Sequence, residues 1–214
     1  EATDRAVGSV LAAVDTERTV VCFASDNGGL QPVTYMSPWI GGNGMLYEGG
    51  VRTPLFIRAP GLPAGDVETP VQLFDVHPTL VELAGVEMPV DRPIDAVSLV
   101  PALHGGPLDR GALFWHFPAY LEGRDVESHD PGRPFRITPC GSIREGRWKL
   151  IEWFEDGEVE LFDLETDPGE LVDRSGAEPE RRDAMVARLA EWRRGVNAPM
   201  PTPISTVPSA PKSD

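Results

Sequence analysis

The chain has 214 residues, 41% hydrophobic and 25% charged, with a formal net charge of -15. That length can bury a sizeable core, and the composition is that of a soluble globular protein. So acidic a chain without a basic stripe has no general attraction for nucleic acid or an anionic membrane surface, and no apolar run is long enough to span a bilayer.

From the N-terminus, Val7, Val10, Leu11 and Val14 recur at helical spacing and predict a helix over 2–14, not a signal peptide. The first residue is Glu, not Met, so a fragment or processed chain is expected. "TVVCFAS", residues 19–25, is a nearly continuous apolar run, the pattern of a strand buried on both faces of a parallel sheet. Cys22 within it reads as a small buried hydrophobe. The two cysteines, Cys22 and Cys140, make neither a disulfide framework nor a metal-ligand spacing. Residues 28–50 are rich in glycine and proline and predict a long loop, a length that is usually functional or disordered. A second buried strand follows at Pro54–Ile57, closed by Pro60-Gly61, then a helix around Pro78–Leu83 ended by Gly85.

Residues 86–111 are Pro- and Gly-rich and read as a connection between subdomains. "CGSIREGRWKLIEWFEDGEVELFDL" predicts three short strands, with turns at Glu145-Gly146 and Asp156-Gly157, hence an antiparallel meander. "EPERRDAMVARLAEWRRGV" predicts a helix whose stripe of Met185, Leu189 and Trp192 packs on the meander. Trp148, Trp153 and Trp192 are expected in the core between the two. The Pro/Ser-rich tail reads as extended or disordered. The fold class is α/β, divided as 1–105, 106–196 (meander plus helix) and 197–214 (tail).

The first apolar run ends in Ser25-Asp26-Asn27-Gly28. Asx residues before glycine are common in plain turns. A strand end in an α/β sheet is also where ligands bind, and adjacent carboxylate and carboxamide oxygens suit one hard cation such as Ca²⁺ or Mg²⁺. Both readings stand on the local pattern. A bound cation would also let an acidic protein hold an anionic substrate.

The ordered set Ser25-Asp26-Asn27-Gly28, Glu48-Gly49-Gly50-Val51-Arg52-Thr53-Pro54 and Pro60-Gly61 resembles the sulfatase family of the alkaline-phosphatase-like superfamily. "FDVHPTLVELAG", "SIREGRWKLIEW" and "ELFDLETDPGE" extend the resemblance to about residue 195. It implies the C-terminal part of an alkaline-phosphatase-like α/β domain, followed by a small antiparallel sheet plus helix. It implies that Asp26 and Asn27 ligate a divalent cation, usually Ca²⁺, beside a sulfate ester of a small molecule or carbohydrate. Sulfatases use a formylglycine made within a C-x-[PA]-x-R motif. That motif is expected in a missing N-terminal half, which would be needed for a complete site. Cys140 and Arg144 in "CGSIR" have that spacing but carry Ser142 at the Pro/Ala position, and they read as a decoy.

Two positions depart from the family pattern. Asn43 stands where a sulfate-binding Lys is usual, offering a neutral hydrogen bond in place of a charged one. "LFWHFPAY" has Ala119 where a second His is common. His116 is a candidate for the pocket border, with packing between Trp115 and Phe117 as the plainer reading. Arg52 and Glu48 are expected to hold the loop as partners, His77 to sit at the surface, and His104 and His129 to lie in polar loops. A phosphonate or phosphate ester hydrolase and a non-catalytic relative are the rival readings. Export is a tendency of the family only.

Overall fold

The computed structural model describes residues 1–30, 33–89, 91, 94–120 and 138–202. In chain order these are α1 (Ala2–Ala12), β1 (Val21–Ala24), α2 (Glu48–Val51), β2 (Leu55–Arg58), a 3₁₀ turn (Leu73–Asp75), α3 (Val76–Leu83), α4 (Val100–Leu103), β3 (Leu113–Phe117), β4 (Cys140–Glu145), β5 (Trp148–Trp153), β6 (Val159–Asp163) and α5 (Pro179–Gly195). His129 and residues 203–214 of the tail lie outside the described residues. No described helix is long and apolar enough to cross a membrane.

β1 and β2 pair antiparallel, with Val21 opposite Arg58 and Ala24 opposite Leu55. This corrects the expected parallel strand, because an apolar run says nothing about the direction of its neighbour. It also corrects the expected burial. Cys22 and Phe23 are exposed, and Phe56 on the partner strand is 64% exposed. Cys22 is therefore not a core residue.

The second sheet has the order β3-β4-β5-β6 and is antiparallel throughout. The local turns fix β4–β6: Gly146 and Gly157 take φ values of 58° and 72°, which glycine adopts without a Cβ clash. The edge strand β3 is the segment "LFWHF", which pairs Leu113 with Arg144 and Phe117 with Cys140. Its strand character was not expected, and neither was the short α4 inside the 86–111 connection.

Alternation along the strands gives this sheet two buried faces. On one, Ile143, Trp148, Leu150 and Leu161 meet Met185 and Leu189 of α5, and Trp192 stacks on Phe114 at 4.9 Å. On the other, Cys140, Ile151, Trp153 and Phe162 meet Met45, Leu46 and Tyr47 from the glycine-rich loop. Trp153 thus packs opposite the helix, one residue of strand parity away from the face expected for it. Buried Cys140 belongs to the same core, a setting that suits packing rather than nucleophilic chemistry.

A polar knot ties the connection to α3. Asp75 is fully buried and accepts from Arg110 Nη1 (2.7 Å), Val97 N (3.0 Å) and Gln72 N (2.8 Å). Thr79 Oγ1 in turn accepts from Leu99 N at 2.8 Å.

Candidate functional site

The turn at Asp26–Gly29 leaves the end of β1 and is held by backbone bonds to a distant segment. Ser25 N donates to Pro54 O (3.2 Å), Gly28 N to Gly50 O (2.9 Å), and Asn43 N to Gly29 O (2.9 Å). Within the turn, Asn27 N donates to Asp26 Oδ1 at 3.0 Å, and Ser25 Oγ donates to Asn27 O at 2.9 Å. Asp26 and Asn43 are exposed and Asn27 is half-buried. Gly28 is required by contact rather than by torsion. A Cβ there would lie 1.8 Å from Gly49 O.

The structure therefore brings Asn43 beside the Asp26-Asn27 turn through main-chain pairing. It does not bring His116 there. Trp115 and Phe117 pack toward the glycine-rich loop, so alternation turns His116 toward α5, with its ring 5.3 Å from Phe154. His116 Nε2 lies 2.7 Å from Pro199 O, and since a carbonyl only accepts, Nε2 carries the proton. His77 is exposed, and His104 Nδ1 caps its own helix through Val100 O at 3.0 Å.

The donor set of the turn fits a hard divalent cation: one carboxylate and one carboxamide, both oxygen donors on successive residues. Among the described residues no group of three or more His, Cys, Asp or Glu converges on a common point. A cleft of about 510 Å³ borders α2, and its wall includes Glu48, Arg52, Phe56, Trp115 and Arg144. Asp26, Asn27 and Asn43 do not line it.

Beneath α2 lies a charged cluster that the sequence reading missed. Lys149 Nζ is 2.9 Å from both Glu48 Oε1 and Glu170 Oε1, and all three residues are at most 1% exposed. Glu48 N donates to Glu170 Oε2 at 2.6 Å, and Arg144 Nη1 reaches Glu48 Oε2 at 3.3 Å. The expected Arg52–Glu48 pairing is present but longer, at 3.8 Å, with Arg52 half exposed. Burial pushes the Glu48 carboxyl up, but Lys149, Arg144 and Arg52 outweigh it and hold the group below its ordinary value. At Glu170 burial wins over the same lysine, and its carboxyl is raised. Only Glu48 has three cations around it.

The family model described as N-sulphoglucosamine sulphohydrolase, C-terminal, matches residues 42–193. A sulfatase of Formosa agariphila is 32% identical over 224 residues, which cover 93% of this chain and 39% of that protein. A choline-sulfatase of Rhizobium meliloti is 35% identical over 174 residues, covering 79% of this chain and 30% of that one. The solved phosphonate monoester hydrolase of Agrobacterium radiobacter superposes with a TM-score of 0.63 at 27% identity, over 90% of this chain and 38% of that one. The chain thus spans between 30% and 39% of the length of these relatives.

Proposed function

The chain belongs to the sulfatase family, and from that premise we propose that it is the C-terminal part of a hydrolase of sulfate esters. In this reading Asp26 and Asn27 supply part of the oxygen shell of a divalent cation, Ca²⁺ by family habit. Members of the family are generally metal-dependent. The observation that carries the reading is the Asp26–Gly29 turn. It sits at a strand end, leaves Asp26 exposed and Asn27 half-buried, and hangs by Gly28 from the Glu48-Gly49-Gly50 segment.

Hydrolysis at sulfur gathers negative charge on the equatorial oxygens of the sulfuryl group. A cation held at this turn would offset that charge and help keep a nucleophile ionised. Asp26 and Asn27 would hold and orient it. Asn43, whose main chain pairs with Gly29, would offer the sulfate a neutral donor. Two donors cannot fill a shell of about six to eight oxygens. The rest of the shell, and the C-x-[PA]-x-R nucleophile absent from these 214 residues, belong to other parts of the full-length protein. The substrate is a sulfated small molecule or carbohydrate.

The test is turnover of 4-nitrophenyl sulfate by the full-length protein, with chelator and with Ca²⁺ restored. Activity that chelation abolishes and Ca²⁺ recovers, and that Asp26→Ala removes together with Ca²⁺ binding, supports the reading. A protein inert to sulfate esters but active on an aryl phosphonate would transfer it to the second chemistry, which the Agrobacterium radiobacter similarity favours. Asn43→Lys separates a weakened sulfatase from one adapted to another ester. A charge-assisted bond is worth about twice a neutral one, so turnover of the aryl sulfate should rise on the order of tenfold. A fall in that activity would show that Asn43 serves a different substrate.

A further inference from the structure

Lys149 is one of two lysines in the chain, and it is fully buried. Its Nζ meets the side chains of Glu48 and Glu170, which lie 101 and 21 residues away in sequence. Replacing a buried ion cluster with apolar residues of similar volume is often neutral or stabilising, which directs attention to the geometry this one imposes. The geometry here has a direction. Glu170 holds φ at 56°, a left-handed conformation costly for a residue with a Cβ, and in it Oε2 accepts the Glu48 amide at 2.6 Å. Lys149 grips the side chain of the same residue at 2.9 Å. Glu48 is thus clamped at its side chain from β5 and at its main chain from the loop that follows β6.

The two glycines after Glu48 carry the turn. Gly49 N bonds Ile40 O at 2.8 Å, and Gly50 N bonds Tyr47 O at 2.8 Å. Gly50 O then receives Gly28 N at 2.9 Å, and Gly49 O fills the space a Gly28 side chain would need. Gly28 is the residue after Asn27, so any shift of Glu48 is passed through two glycines to the two oxygen donors.

We infer that Lys149 and Glu170 are positioning residues for the Asp26-Asn27 turn, fixing through Glu48 the register in which its oxygens meet a divalent cation. This rests on the cation reading of that turn. Neither residue touches the cation or the substrate. They act as outer supports do at metal sites, where the ligand's own partners set affinity.

The test uses the full-length protein carrying Lys149→Met and Glu170→Gln together. One cation and one anion leave at once, and the new carboxamide keeps an oxygen for the Glu48 amide. The Ca²⁺ dissociation constant, read by calorimetry, should rise about ten- to hundredfold. Amide exchange should quicken at Gly28, Asn43 and Gly50, while Leu189 in α5 keeps its protection. Glu170→Gln alone, which retains the Lys149–Glu48 pair, should fall between wild type and the double variant. A folded double variant with wild-type Ca²⁺ affinity and unchanged Gly28 exchange overturns the inference. So does one that fails to fold, or that loses protection at Leu189 with the rest, since the cluster would then serve overall stability alone. Wild-type protein that binds no Ca²⁺ would instead refute the cation reading, and exchange at Gly28 would still judge the clamp.

Discussion

Burial and charge pull the two carboxylates around Lys149 apart. Glu48 is held below its ordinary value near 4.5, because three cations outweigh the burial that alone would raise it. A lowered folded pKa binds fewer protons than the unfolded chain does. Its stabilisation is therefore complete above about pH 4.5 and is lost as pH falls through the lowered value. Denaturant titration of wild type and Glu48→Gln from pH 7 to pH 3 should show a stability gap that is flat near neutrality and closes in acid. A gap that widens in acid would reverse the assignment. Removing Lys149 is the harsher change. Lys149→Met strands two buried carboxylates and should cost about 3–5 kcal/mol, more than Glu48→Gln, which leaves the lysine its second partner. Of these contacts only the Glu48–Arg52 pair was legible in sequence. Glu48 and Glu170 are 122 residues apart, and no local pattern marks a buried ion cluster. Asp26-Asn27 was legible as a candidate because a strand end and an Asx-Gly turn are local features.

Elements were readable to the extent that their determinants are near in sequence. β4, β5 and β6 follow from alternation plus two glycine turns, and α5 from Met185, Leu189 and Trp192 on one stripe. β3 was missed because its pairing partner is β4, on the far side of residues 121–137. The direction of β1 was misread because hydrophobicity carries no pairing sense. Two substitutions test how these elements are held. Leu189 is fully buried between α5 and the sheet, so Leu189→Ala should lower stability by about 2–5 kcal/mol, read as a drop in melting temperature with unchanged helix content near native conditions. Gly28→Ala forces a Cβ into Gly49 O, so it should displace the turn and cut Ca²⁺ affinity. Gly8→Ala is the control. Nothing lies within 4 Å of its added Cβ on exposed α1, and the helix should gain up to about 1 kcal/mol. Equal tolerance at both glycines would mean that the close approach at Gly28 is not binding on the fold.

The molecule as a whole divides its apolar surface unevenly. The four-stranded sheet is covered on both faces, by α5 and by the glycine-rich loop. The β1–β2 ribbon is not. Phe23 and Phe56 are 40% and 64% exposed, and their rings stand 6.2 Å apart as one patch. A two-stranded ribbon has an open edge on each side and little stability of its own in water. An apolar patch beside open edges is a template for association. The sulfatase and phosphonate hydrolase relatives are more than twice as long as the portion this chain covers, so in a longer protein such a patch has further chain available to bury it. Produced as these 214 residues alone, the chain should self-associate and bind a hydrophobic dye. Phe23→Ser with Phe56→Ser should reduce both, while the α5 side of the sheet keeps its tryptophan fluorescence. Sedimentation velocity decides it. A chain that is monomeric at tens of micromolar, with no dye uptake, would mean that the ribbon is stable and silent by itself.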